Sequence, residues 1–272
     1  MRSVALLMLG LAVVPAALAQ GGSHYRFVAG DSLRYHVQQV DSSALTTPQG
    51  RVPVTTMLES TMRMKVGPAS AIQAAFTTYH VQVQTPQGML APPESLALNR
   101  EFGLAISDRG VVTVTTTPKF PAELTKVVDP SAEFDDYFLV LPTSTLQIGV
   151  VWVDTVNKST SSASGQKVSR ETVALYTVAR DTVVRGQHCF VITARSQQTI
   201  TAIGPGPAPN LTVTNTLTGT EEGQILFDPA RGRMLGRQRV GHFTGTIRVD
   251  GGASPVEYPL ERRYLSGLEL QP

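Results

Sequence analysis

The chain has 272 residues, 42% of them hydrophobic and 16% charged, with 23 Lys and Arg against 21 Asp and Glu. That balance gives no general drive toward nucleic acid, and Cys189, the single cysteine, excludes an internal disulfide. About 250 residues beyond the first 20 suffice for one large all-β domain or two small ones, held by packing alone.

Residues 1–19 read as a secretory signal. Arg2 is the basic start, Val4 to Val14 is an apolar run, and Ala17-Leu18-Ala19 is a small-x-small site that places cleavage between Ala19 and Gln20. The run is too short to span a bilayer. No cysteine lies near the site, so the mature chain is not expected to be a lipoprotein. No later apolar stretch reaches 18 residues, so the expectation is a periplasmic or extracellular protein without a transmembrane segment. Without Arg2, 22 basic residues face 21 acidic ones.

The following residues alternate apolar and polar, the pattern of half-buried strands. Ser32 to Gln38 puts Leu33, Tyr35 and Val37 on one face; Leu58 to Val66 does the same with Leu58, Met62, Met64 and Val66. Similar runs occupy 71–85, 102–106, 111–117, 150–156, 168–181, 188–203, 211–227, 233–249 and 256–266. Several exceed the usual five or six residues, which implies strong curvature. Asp108-Arg-Gly110 and Asp228-Pro-Ala-Arg-Gly232 carry Asp at a turn start and Gly where positive φ is needed, so both predict hairpins.

The order of strands and turns in 25–112 repeats in 148–239, which predicts two copies of one unit. The predicted fold is mainly β: two duplicated antiparallel curved-sheet units, half-barrel or sandwich-like. Residues 20–117 form the first, 118–145 a short helical connector, and 146–272 the second. Within the connector, 121–128 and 131–138 suggest two helical turns, with Pro121 at a first helical position and Ser131 as a cap. Its Phe134, Tyr137 and Phe138 could plug one end of a curved sheet. Trp152, the single tryptophan, is expected to pack inward against one of them. Leu33, Tyr35, Met62, Met64, Phe134, Tyr137, Phe138 and Trp152 are therefore the candidates for a ligand cavity or its plug.

Signatures of chemistry are sparse. There is no Gly-x-Ser-x-Gly elbow, His-Glu-x-x-His, phosphate loop or Cys-x-x-Cys. Ser164-Gly-Gln-Lys167 matches Ser-x-x-Lys at chance level within a polar loop. The five histidines lack metal-ligand spacing. No catalytic residue, metal or cofactor is predicted. Cys189 is expected to be a buried inert thiol, and His188 to be half-buried beside Phe190. Glu221 and Glu222 should face opposite ways on a strand, and Asp135-Asp136 should be exposed. Arg231, Arg233, Arg237 and Arg239 have odd spacing, so one strand could show them as a basic surface stripe. Such a stripe suits anionic lipid headgroups, cell-wall polymers or a plain solvated strand face.

Tyr25-Arg-Phe-Val-Ala-Gly30-Asp31-Ser-Leu-Arg-Tyr35, Ser107-Asp-Arg-Gly-Val-Val112, Leu141-Pro142, Gly149-x-x-Trp152 and Gly223-Gln-Ile-Leu-Phe-Asp228 span most of the chain. The pattern they make resembles an uncharacterised domain-of-unknown-function family of exported bacterial proteins. In that family an acidic residue follows the glycine of the Gly-x-x-Trp element; here it is Val150. More broadly, a long-stranded curved sheet with a helical plug is similar to periplasmic lipoprotein-carrier and lipid-binding folds. The function expected is a non-enzymatic exported protein that binds an apolar or amphipathic ligand, such as a lipid, in its curved sheet. The alternatives are a cell-envelope interaction or assembly module acting through its surface, and a hydrolase with a site assembled from scattered residues.

Overall fold

A computed structural model describes residues 23–272 apart from 135, 162–164, 207, 209 and 253. The predicted signal segment and cleavage site, Asp135 and Ser164 lie outside the described residues. The chain is mainly β, an open antiparallel sheet of 12 strands. The strands are β1 (Ser32–Thr47), β2 (Gly50–Val66), β3 (Ile72–Thr85), β4 (Gly88–Leu90), β5 (Phe102–Ile106), β6 (Val112–Thr116), β7 (Val151–Ser161), β8 (Lys167–Val184), β9 (Gln187–Pro205), β10 (Thr212–Asp228), β11 (Arg233–Asp250) and β12 (Val256–Leu270). Their order is β6-β5-β3-β2-β1-β12-β11-β10-β9-β8-β7, with β4 paired to β3.

Both predicted units are thus meanders, and they join edge to edge through β1 and β12, from Tyr35–Leu270 to Leu45–Leu260. A meander is the simplest antiparallel order. Observed strands follow the predicted runs closely, but β1 and β2 extend through residues 39–57, where alternation is lost and Pro53 interrupts. Pro53 is tolerated because β3 leaves β2 beyond the Thr55–Gln84 pair. The proline has β1 on one side only, a local edge position.

The sheet curls strongly. Val81 on β3 and Lys158 on β7 line one cavity, although eight strand spacings separate them, about 38 Å in a flat sheet. Inward glycines on β10 and β11 permit the coiling. Gly219 stands opposite Phe243 and Gly245 opposite Leu217. A Cβ at these two glycines would lie 2.0 Å from the His242 carbonyl oxygen and 1.8 Å from that of Thr216, so only bare backbone fits.

Between β6 and β7 the chain crosses the inner face. It contains a short helix, α1 (Ala122–Thr125), and a 3₁₀ turn at Pro130–Phe134. Asp129, not Ser131, caps the second turn, its carboxylate accepting from the Ser131 backbone N–H at 3.0 Å. One end of the curl is filled by this connector: Leu124, Phe134, Tyr137, Phe138, Leu139 and Leu141 are buried in one cluster with Leu33, Tyr35, Met62, Met64, Phe76 and Phe227. The Phe138 ring lies 5.3 Å from Tyr25, 5.5 Å from Tyr35 and 5.2 Å from Tyr137 in edge-on geometry. Residues 24–26 tie this end shut. Tyr25 donates its N–H to Asp108 and Arg26 to Gly232, so both predicted Asp-to-Gly turns hold the same N-terminal segment.

Candidate ligand cavity

Residues 136–141 of the connector are largely buried yet belong to no helix or strand, so their carbonyls need other donors. Side chains supply them. Arg237 Nη1 donates to the carbonyls of Asp136 and Tyr137, and the Tyr25 hydroxyl to that of Leu139 at 3.0 Å. Trp152 Nε1 donates to Val140 at 3.1 Å, and Arg109 Nε to Leu141 at 2.8 Å. Each bond is worth about 1 kcal/mol net, and each unsatisfied carbonyl would cost more.

Beyond the connector the inner face opens into a cavity of about 460 Å³. Its apolar lining includes Val37, Leu58, Val81, Val168, Ile200 and Phe243. At its far end Leu217, Phe243 and Leu260 form a second, smaller apolar cluster. Between the two apolar regions lies a belt of charge: Lys158, Arg170, Arg237, Arg239 and Arg262, with Glu133 and Glu221. Strand alternation explains the assembly. Arg237 and Arg239 occupy the inner row of β11, Arg262 and Tyr264 that of β12, Glu221 that of β10 and Arg170 that of β8.

The belt is internally paired. Asp136, held at φ +57°, meets Arg170 and, at 3.5 Å, Lys158. Burial alone would raise the Asp136 carboxyl, but Arg170, Lys158, Arg239 and Arg237 outweigh it and hold it below the usual carboxylate range. Arg262 grips Asp41 with two nitrogens and lies over the Phe243 and Tyr264 rings. Arg239 meets Glu221 at 3.5 Å and the Tyr264 hydroxyl at 3.0 Å. Burial opposes the Arg239 charge, yet Tyr264, Glu221 and Asp136 raise its pKa. Arg237 differs. Burial, with Arg239 adding like charge, pulls it down to about 10, still charged at neutral pH. At the connector's edge, burial pushes the Glu133 carboxyl up to about 7, partly offset by the Tyr79 hydroxyl.

Of the predicted cavity residues, Leu33, Tyr35, Met62, Met64, Phe134 and Phe138 are core filling rather than open lining, and Tyr137 alone borders the cavity. Trp152 faces inward, half-buried, but its ring stacks on Tyr176 at 5.1 Å and reaches the connector through the Val140 carbonyl. The four arginines do not form one surface stripe. A bulge opposite Leu226 and Phe227 inserts Leu235 and changes the phase. Arg231 is exposed in the turn, Arg233 pairs with Asp31 at 2.6 Å, and Arg237 and Arg239 point into the cavity. Asp136 is an inner-network residue rather than an exposed one, whereas Glu221 and Glu222 do face opposite ways, pairing with Arg239 and Arg195. Cys189 is buried; His188 lies beside Phe190, ring centroids 6.3 Å apart, but is exposed rather than half-buried and sits 3.1 Å from Asp181.

Sequence reasoning missed Asp41, Glu133, Lys158, Arg170, Glu221, Arg262 and Tyr264. One signal was available: Leu260, Arg262, Tyr264, Ser266 and Leu268 share a row whose ends are apolar and whose middle is polar. Among the described residues, no three His, Cys, Asp or Glu side chains converge as a metal site, and no helix is long and apolar enough to cross a membrane. No protein-family model matches the chain, and no curated protein matches it.

Proposed function

We propose that this is an exported, non-enzymatic binding protein that holds an amphipathic small molecule in the cavity under its curved sheet. The observation that carries the reading is the cavity itself. About 460 Å³ falls within the range of small-molecule sites, and apolar walls with a few convergent polar groups are the usual lining. A purely apolar ligand would leave the charged belt without its hydration and without replacement partners. An amphipathic one places its tail against Phe243, Ile200 and Leu58 and its polar end on the belt. The signal-like segment at residues 1–19 supports the same reading. Export is tested by N-terminal sequencing of the secreted form: Gln20 is expected first, and an intact Met1 refutes cleavage.

The binding test is displacement of N-phenylnaphthylamine, a neutral apolar fluorophore. Enhanced, saturable fluorescence that single-chain amphiphiles reverse, together with a raised melting temperature, is the expected result. No enhancement and no thermal shift with any amphiphile would sink the reading.

A second reading, an envelope module acting through its surface, draws on the outer face. Met57, Val40, Leu265 and Val240 stand in register on β2, β1, β12 and β11, and all are exposed. Leu265→Thr with Val240→Thr should abolish cosedimentation with envelope fragments while sparing amphiphile binding; unchanged sedimentation rejects it.

A further inference from the structure

We propose that the polar end of the bound amphiphile is a single negative charge on an oxyanion — a carboxylate, phosphodiester or sulfonate — received by Arg237 together with Arg239. The inference rests on the cavity being the binding site and adds the chemistry of the head group.

The charge pairing inside the cavity carries it. Five cationic side chains line the wall. Four have a carboxylate within 4 Å: Lys158 and Arg170 share Asp136, Arg239 has Glu221, and Arg262 has Asp41. Arg237 alone of the five, among the described residues, has none; its Nη1 donates to the two connector carbonyls. A buried cation is stable only when paired or well hydrogen-bonded. Two carbonyl dipoles provide part of that compensation and leave a formal charge over.

The donors point the same way. The Nε–H groups of both Arg237 and Arg239 are buried without an acceptor. A guanidinium presents its donors as a planar fork that matches the two oxygens of an oxyanion. Arg237 and Arg239 stand two residues apart in one inner row of β11, so one oxyanion can take a donor from each with a small shift of either side chain. Their like charges repel while the site is empty, and an anion between them removes that repulsion. Arg237 is the one cation of the five without a carboxylate within 4 Å, so one oxyanion at that point supplies the missing partner. The neighbouring Glu221 carboxylate, 3.5 Å from Arg239, disfavours a second.

The experiment uses the mature protein with decyl chains of constant length and varied head group, below their micelle concentrations. Decanoate, decanesulfonate and decyl methyl phosphate should each bind at least tenfold more tightly than decyl maltoside or decyltrimethylammonium, and their order identifies the oxyanion. Arg237→Gln should weaken the anions by roughly tenfold to a hundredfold and leave the maltoside unchanged. Because Arg237 also holds the connector, a second variant guards against loss of the fold. Glu221→Gln removes the competing carboxylate and should tighten anion binding by roughly threefold to tenfold, a gain that unfolding cannot mimic. Equal affinity across all head groups, or anion binding unmoved by both variants, overturns the head-group assignment while leaving the cavity reading intact. Failure of every amphiphile to bind overturns both.

Discussion

The two regions of the inner face solve burial in opposite ways. At the closed end, aromatic and aliphatic side chains interlock, and the connector carbonyls of Asp136, Tyr137, Leu139, Val140 and Leu141 each accept a side-chain hydrogen bond. In the middle, arginines and carboxylates stand half-buried beside one another, with individual buried donors left over. Burial of apolar surface without polar debt is what stabilises a fold; buried charge is at best neutral for stability. The closed end is therefore the structural region. The belt stabilises little, and the proposed binding of a charged head group gives it a role.

The largest expected effect breaks the closed end. Phe138→Ala removes a ring that touches Tyr25, Phe27, Tyr35 and Tyr137. It should cost about 3–5 kcal/mol in urea unfolding; a cost below about 1 kcal/mol would mean the connector does not hold that end.

Trp152→Ala should cost less, about 2–3 kcal/mol, because the indole is half-buried and loses one stack and one hydrogen bond to Val140. Native emission should lie between the buried and free-indole limits. Free-indole emission in the native state, with an unchanged melting temperature, would contradict the packing described.

Glu133 sharpens the contrast from the belt side. Its carboxyl is pushed up to about 7 from an ordinary value of 4.5, so the folded chain holds that proton more tightly than the unfolded chain. Its favourable contribution is complete below about pH 4.5 and is lost as pH rises through about 7. Partial solvent exposure limits the loss to about 1–2 kcal/mol. Glu133→Gln should flatten the stability profile between pH 5 and 8, in roughly that window; a variant that keeps the wild-type slope assigns the dependence to other groups. The smallest effect belongs to the outer face, where Leu265→Thr should change stability by less than about 0.5 kcal/mol.

How much of this was legible in the sequence follows from what alternation can and cannot encode. Period-two patterning located nearly every strand, and Asp108 and Asp228 located their turns, because both signals are local. The 39–57 hairpin was invisible because its residues lack alternation; Pro53 is tolerated where β2 has lost β3 beyond Thr55–Gln84, although β1 still pairs with β12 there. The arginine stripe was misphased by Leu235, a single inserted residue that no composition rule marks. The belt was not legible at all. Arg170, Glu221 and Arg262 come from three strands, and only register and curvature bring them to one cavity, with Asp41 of a fourth strand paired to Arg262. Trp152 was legible in facing but not in partner, since its stack on Tyr176 is a cross-strand pair.

The central claim is that the belt exists for a ligand rather than for the fold. Native mass spectrometry of the protein purified from its own host tests it most directly. The account predicts a mass adduct of one small amphiphile per chain, released on denaturation and recovered as a singly charged anion. A chain that carries no adduct when freshly isolated, and takes up none when incubated with a lipid extract of that host, would contradict it.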